Sequence, residues 1–219
     1  MRRPGVCHAL AALLAVFTGG CATLHWPRTE VAVAPPPRNY FAPATPDGQF
    51  RRVALLPMSS GSFPDQYVRA LDAAFLSELS KRGLFEIVPV SRAQMEALFG
   101  ERQFSSTETL PADALLRLQE RCGVDGVLFT DLTHFSPYRP VSMGVRTKLV
   151  AVATGEIRWA FDDVFDAGNT AVAEAAKRFQ LACSNEHQPL TSDGGSILLS
   201  PSRFAKYVAN ETYASLPRE

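Results

Sequence analysis

The chain has 219 residues, of which 46% are hydrophobic, 20% charged and 10% aromatic, and its 22 basic residues balance 22 acidic ones. That is the make-up of a globular protein, and it excludes a disordered, collagen-like or disulfide-stapled chain. Charge balance also leaves no electrostatic footprint for a duplex, so no nucleic-acid partner is expected.

Met1-Arg2-Arg3 is a basic start, Val6 to Phe17 is mostly apolar, and Thr18-Gly19-Gly20-Cys21 ends the stretch with small residues ahead of a cysteine. This three-part pattern predicts a bacterial export signal over residues 1–20. The apolar run is shorter than the ~20 residues a spanning helix needs, which argues against a permanent transmembrane anchor. Small residues before Cys21 resemble the bacterial lipobox, with Thr18 where leucine is usual. The resemblance implies that the Cys21 thiol receives a diacylglycerol and that Cys21 becomes the first residue of the mature chain. Ala22 rather than aspartate follows it, which in lipoprotein families implies sorting to the outer membrane, facing the periplasm. Acyl chains would hold it there at ~0.8 kcal/mol per buried methylene. A plain secreted protein cut nearby is the other reading of this segment.

Loss of the signal removes Arg2, Arg3 and Cys7, so the mature chain carries two more acidic than basic groups. With Cys21 blocked by lipid, Cys122 and Cys183 remain. A bridge between them is permitted in the periplasm and would contribute roughly 4 kcal/mol on chain-entropy grounds. Two thiols that never meet are equally compatible with the sequence.

Residues 21–50 contain Pro27, Pro35, Pro36, Pro37, Pro43 and Pro46 and little apolar periodicity. They predict an extended, partly polyproline tether, reaching at most about 90 Å and nearer 30 Å as a flexible coil. From Arg51 to Glu219 the pattern becomes that of one folded domain. Val53 to Pro57 is a short apolar run typical of a buried strand. Tyr67, Leu71, Phe75 and Leu79 recur at helical spacing, followed by Lys81-Arg82-Gly83 as a basic last turn and a glycine stop. Phe85 to Val90 forms a second strand, parallel to the first through a right-handed crossover. Ser91 and Gln94 make a capping box for a short helix that Gly100 ends. Pro111 opens another, with Leu115, Leu118 and Cys122 on one face and Gly123 after it.

Three strands follow, over Val124–Phe135, Val141–Val152 and Glu156–Phe165, the last two joined by a tight Ala153-Thr154-Gly155 hairpin. Asn169 caps a helix to about Ala182, and Ser200-Pro201 starts the last one. The prediction is an α/β fold in the order βαβααβββαα, a single mixed sheet of about five strands with helices packed on it.

Val53-Ala54-Leu55-Leu56-Pro57, Phe85-Glu86-Ile87-Val88-Pro89-Val90-Ser91-Arg92, Gly123-Val124-Asp125-Gly126-Val127-Leu128 and Leu149-Val150-Ala151-Val152-Ala153-Thr154-Gly155-Glu156, in this order, resemble the periplasmic domain of the curli production assembly/transport lipoproteins. The same domain type occurs in their relatives, the lipoprotein activators of penicillin-binding proteins. Over residues 51–166 the resemblance implies an anticodon-binding-like domain hung from the outer membrane by a lipid, with a protein partner in the envelope. The curli channel carries long amphipathic hairpins that line up as a barrel. Here the joins are Ser136-Pro137-Tyr138-Arg139-Pro140 and Ala153-Thr154-Gly155, too short to supply spanning strands of ~9–11 residues.

Candidate chemistry is sparse. The mature chain has only His25, His134 and His187, with no H-E-x-x-H or C-x-x-C spacing, so no metal site, cofactor or catalytic set is expected. Asp162, Asp163 and Asp166 alternate along a strand and cannot chelate together without a bulge, so they are expected to charge a sheet edge. Ser59, Ser60, Gly61 and Ser62 follow the first strand where α/β folds often bind ligands, and backbone amides there could receive an anion. A flexible turn is the bland alternative, and no G-x-S-x-G elbow supports a hydrolase. Tyr138 and Arg139 are residue types enriched at binding hot spots, in what is otherwise a rigid turn. Residues 184–199 are polar and expected to lack structure.

The expected function is that of a non-enzymatic outer-membrane lipoprotein whose tethered domain binds and positions another envelope component. A ring-forming secretion component, self-assembled as a homo-oligomer, is the alternative from another class, and a periplasmic hydrolase comes third.

Overall fold

The structure is a computed structural model that describes residues 39–42, 50–61, 63, 65–184 and 195–217. The signal, Cys21, His25, most of the tether, Ser62 and the stretch 185–194 with His187 lie outside the described residues. The elements are β1 (Tyr40–Phe41), β2 (Arg52–Leu55), α1 (Asp65–Ser80), β3 (Glu86–Pro89), α2 (Arg92–Phe99), α3 (Ala114–Cys122), β4 (Gly126–Ser136), β5 (Ser142–Ala151), β6 (Ile157–Asp166), α4 (Thr170–Ser184) and α5 (Pro201–Tyr213). The fold is the expected mixed α/β sheet with packed helices, but it has six strands in the order β1-β6-β5-β4-β2-β3. The additional strand comes from the predicted tether: Tyr40 and Phe41 pair antiparallel with Phe161 and Ala160. Two residues are too few for any periodicity to mark.

Local sequence explains several boundaries. In α2 the Ser91 hydroxyl accepts from the Gln94 amide at 3.2 Å, and Gln94 Oε1 accepts from the Ser91 amide at 2.8 Å, which satisfies two otherwise orphaned donors. Gly100 and Gly123 then take the left-handed conformation that ends α2 and α3, at φ 76° and 65°. Helix α1 stops at Ser80, so Lys81 and Arg82 lie just beyond it instead of forming its last turn. Each has a role there: Lys81 Nζ meets the buried Glu78 carboxylate at 2.7 Å, and Arg82 reaches Asn210 of α5 at 3.1 Å.

The connections dictate which face each helix covers. Strand β2 pairs in parallel with both β3 and β4. The chain steps from β2 to β3 through α1, then returns across β2 to β4 through α2 and α3. If both crossovers are right-handed, the two helical layers must lie on opposite faces. They do. Val53 and Leu55 share a core with Leu71, Phe75 and Leu79 of α1 and with α4 and α5. Ala54 and Leu56 share a second core with Met95 of α2 and Ala114 and Leu118 of α3. The period of two along β2 is what feeds both cores.

The larger core is aromatic. Trp159, Phe161 and Phe165 stack along β6 at centroid spacings of 6.3 and 6.2 Å, and Tyr207 of α5 meets Phe165 edge-on at 5.8 Å. Such pairs contribute ~0.5–1.5 kcal/mol each beyond their buried area. Trp159 Nε1–H donates to Ser215 Oγ at 3.2 Å, so its polar atom is satisfied.

The two layers also decide the cysteine pair. Cys122 ends α3 and packs half-buried in the second core, whereas Cys183 is on α4, whose Val172 and Ala176 belong to the first. The two are not bridged to each other, because the sheet lies between the helices that carry them. Part of the predicted unstructured loop is ordered as well: Gly195–Leu199 forms a 3-10 turn in which Ile197 is buried.

Candidate functional site

Two surfaces are left by this arrangement. The first is a crevice at the carboxyl ends of β2 and β3. Because the chain leaves β2 toward one face and β3 toward the other, the strand ends part there, and α/β sheets characteristically bind ligands at such a reversal. The crevice has a volume of about 490 Å³ and lies between Leu55–Met58, Pro89–Ala93 and the α1 residues Arg69, Asp72 and Leu76. At its centre the Arg92 guanidinium, 15% exposed, pairs with Asp72 and donates to the Met58 carbonyl at 2.9 Å. Asp72 also accepts from the Met58 amide at 2.8 Å. Strand end, α1 and the start of α2 are thereby pinned together.

The serine turn forms the rim of an adjoining hollow of about 370 Å³, which Ser60 and Gly61 share with Arg92, Glu96, Glu101 and Arg102. It is less free than a flexible turn. The Ser59 amide donates to Thr130 O and its carbonyl accepts from the Leu132 amide, both at 2.8 Å, so Ser59 extends the ladder along β4. That amide is therefore unavailable to an anion. The Ser60 carbonyl accepts from Phe63, Ser60 is 3% exposed, and Gly61 has φ 53°. Ser62 lies outside the described residues.

Below the crevice the Tyr213 phenol is fully buried. Burial raises its pKa above the usual tyrosine value of 10.0, a shift that the neighbouring Thr130 hydroxyl opposes and the Asp72 carboxylate reinforces.

The second surface is the face of β5 and β6 turned away from the aromatic core. Helices α1, α4 and α5 all pack on the other face, and α2 and α3 cover β2, β3 and the start of β4. Among the described residues no helix covers the outer side of β6. Side chains there run in rows set by the register. Asp131, Arg146 and Asp162 are neighbours, with Arg146 Nε 2.7 Å from Asp162 Oδ2, and Lys148, Ala160 and Phe41 form the next row. Asp131 is covered, since it accepts from the Ser106 amide at 3.0 Å and from its hydroxyl. Toward β1 the surface turns apolar: Phe41 and Val164 are each 54% exposed. Gly144 lies beside Val164 in a row interrupted by a bulge between Leu132 and His134.

The other residues singled out in the sequence are dispersed. Tyr138 is 78% exposed in the short β4–β5 connection beside exposed Arg139. His134 shares a 2.8 Å hydrogen bond with Ser142 Oγ. The three aspartates have separate tasks: Asp162 holds Arg146, Asp163 accepts from the Val164 amide and Asp166 from the Gly168 amide. The two-residue β1 pairs with β6 only at Ala160 and Phe161, so Asp163 and Asp166 lie on the part of β6 that β1 does not reach. Among the described residues no three His, Cys, Asp or Glu side chains come together as metal ligands, and no helix is long and apolar enough to cross a membrane. Sequence reasoning passed over Arg69, Arg92, Arg102 and Thr130 in the crevice. The available signal was Arg92, the first residue of the helix that the Ser91–Gln94 capping box opens shortly after a strand end.

No family known from sequence matches the chain, and no curated protein does. Solved structures give distant likenesses. PelC from Paraburkholderia phytofirmans, described as a dodecamer, has 12% identity over 80% of this chain and 98% of its own, with a TM-score of 0.42. The lipoprotein GNA1162 from Neisseria meningitidis has 17% identity over 61% of this chain and 97% of its own, with a TM-score of 0.40. The LpoB C-terminal domain from Escherichia coli has 15% identity over 55% of this chain and 86% of its own, with a TM-score of 0.37. At this distance no residue role passes from those proteins to this one.

Proposed function

We propose that the protein is a lipid-anchored component of the bacterial envelope whose periplasmic domain binds and positions another envelope component, in assembly, secretion or cell-wall synthesis, and catalyses no reaction itself. The observation that carries the reading is the outer face of β6, which no helix covers among the described residues and where Phe41 and Val164 are exposed beside the Arg146–Asp162 pair. Exposed apolar side chains on either side of an ion pair on a flat sheet suit a protein partner better than a small substrate. The signal ending at Cys21 and the proline-rich stretch after it support delivery to a membrane surface with room to reach that partner.

In intact cells, cross-linking followed by mass spectrometry should recover one envelope protein in stoichiometric amount. It should be lost with Cys21→Ser, which removes the anchor, and with Val164→Arg, which changes the outer face and leaves both cores untouched. Recovery of self-cross-linked rings alone, or capture indifferent to Val164→Arg, would refute this assignment.

A further inference from the structure

The crevice between β2 and β3 has features that a partner-binding sheet does not need. Its volume of about 490 Å³ lies within the range of small-molecule sites, ~300–1,000 Å³. Its walls combine apolar groups, Pro57, Ala73, Leu76 and Pro89 among them, with three arginines, Arg69, Arg92 and Arg102, against the single acid Asp72.

Arg92 is held as a binding arginine would be. One N–H goes to Asp72 and one to the Met58 carbonyl, which fixes the plane of the guanidinium. A guanidinium has five N–H donors, so three remain for something in the crevice. Arg69, on α1 at the opposite wall, makes no ion pair among the described residues, and its side chain is exposed to the opening. Thr130, on β4, forms part of the crevice wall, with its buried hydroxyl beside the buried Tyr213 phenol. Arg92 and Arg102 also line the adjoining hollow, together with the acids Glu96 and Glu101, so Arg69 is the cation particular to the crevice.

We infer that this crevice is a binding site for a small amphipathic anion, a carboxylate or phosphate joined to an apolar body, with Arg92 and Arg69 taking the charge and the proline- and leucine-lined walls taking the body. The site is separate from the outer face of β6, so either can fail without the other.

Calorimetric titration of the full chain with phenyl phosphate and benzoate tests it, with phenol and inorganic phosphate as the two half-ligands. The expected result is one site for phenyl phosphate, at least about tenfold tighter than for either half-ligand, and weakened about tenfold by Arg92→Gln and severalfold by Arg69→Gln. Arg69→Gln keeps the test readable if loss of the Asp72 and Met58 contacts unfolds the other variant. Displacement of phenyl phosphate by phosphatidylglycerol vesicles would support a lipid head group as the source of the anion, and absence of displacement a free small molecule. No binding by phenyl phosphate or benzoate, equal binding by inorganic phosphate, or full affinity in Arg69→Gln would overturn the assignment.

Discussion

Gly144→Ala probes the outer face at the point where its geometry is tightest. A Cβ built on Gly144 would stand 2.6 Å from Thr133 Oγ1, 3.0 Å from His134 Cβ and 3.1 Å from Val164 Cγ2. Thr133 is the residue that the register skips between Leu132 and His134, so the bulge on β4 leans over β5 at a position with no side chain. Thr133 could turn its hydroxyl away, but His134 Cβ is fixed by backbone and Val164 by the neighbouring strand. Overpacking of this kind costs ~1–3 kcal/mol, while replacing a strand glycine by alanine returns ~0.5–1 kcal/mol of backbone entropy. The net expectation is a destabilisation of about 1–2 kcal/mol, or roughly 2–8 °C in Tm for a domain of this size. Urea and thermal unfolding followed by circular dichroism measure it. Adding Thr133→Ala should restore part of the loss with a coupling of at least about 0.5 kcal/mol, because it removes the shortest contact and leaves the other two. An unchanged or raised Tm in Gly144→Ala would refute the reasoning, since it would mean that the bulge does not press on β5.

Two further outcomes follow from burial. Tyr213 has its folded pKa raised above the ordinary 10.0, so the stability due to its protonated form is complete below about pH 10 and is lost as pH rises from there toward the folded value. Urea midpoints taken from pH 8 to 11.5 should fall with a contribution of ~1.4 kcal/mol per unit above pH 10 that Tyr213→Phe abolishes; an identical slope in the variant would show that other groups carry it. Because Cys122 and Cys183 lie on opposite faces of the sheet, dithiothreitol should leave the unfolding midpoint of the mature chain unchanged, and a fall of several degrees would mean that the two had joined.

The elements that could be read directly are those whose cause is local. Ser91 and Gln94 are three residues apart and cap each other, Gly100 and Gly123 sit where a helix must end, and Gly155 takes φ 72° in the β5–β6 hairpin, although its join spans residues 152–156 and not the three expected. These caps and glycine turns are decided by neighbours in the chain, so one sequence suffices. What escaped depends on pairing at a distance. Tyr40 and Phe41 become a strand only because β6 offers them a partner some 120 positions later, and nothing in their own neighbourhood says so. A regular strand would put Ile157, Trp159 and Phe161 on one face, but a bulge between Leu149 and Val150 in the β5–β6 register lets Ile157 reach 43% exposure while Trp159 and Phe161 are buried.

The crevice shows the same dependence more sharply. Its position depends on β4 returning across β2, so that the two crossovers leave on opposite faces, and that strand order is a property of the assembled sheet. So is its composition, because Arg69, Arg92 and Thr130 come from α1, the start of α2 and the middle of β4. The serines after β2 suggest a ligand loop by their small polar side chains alone. The tertiary structure assigns the Ser59 backbone groups to β4, whereas Arg69 and Arg92 line the crevice. A residue's donors are free for a ligand only after the sheet and the helices have taken theirs, and that remainder is fixed by the fold as a whole.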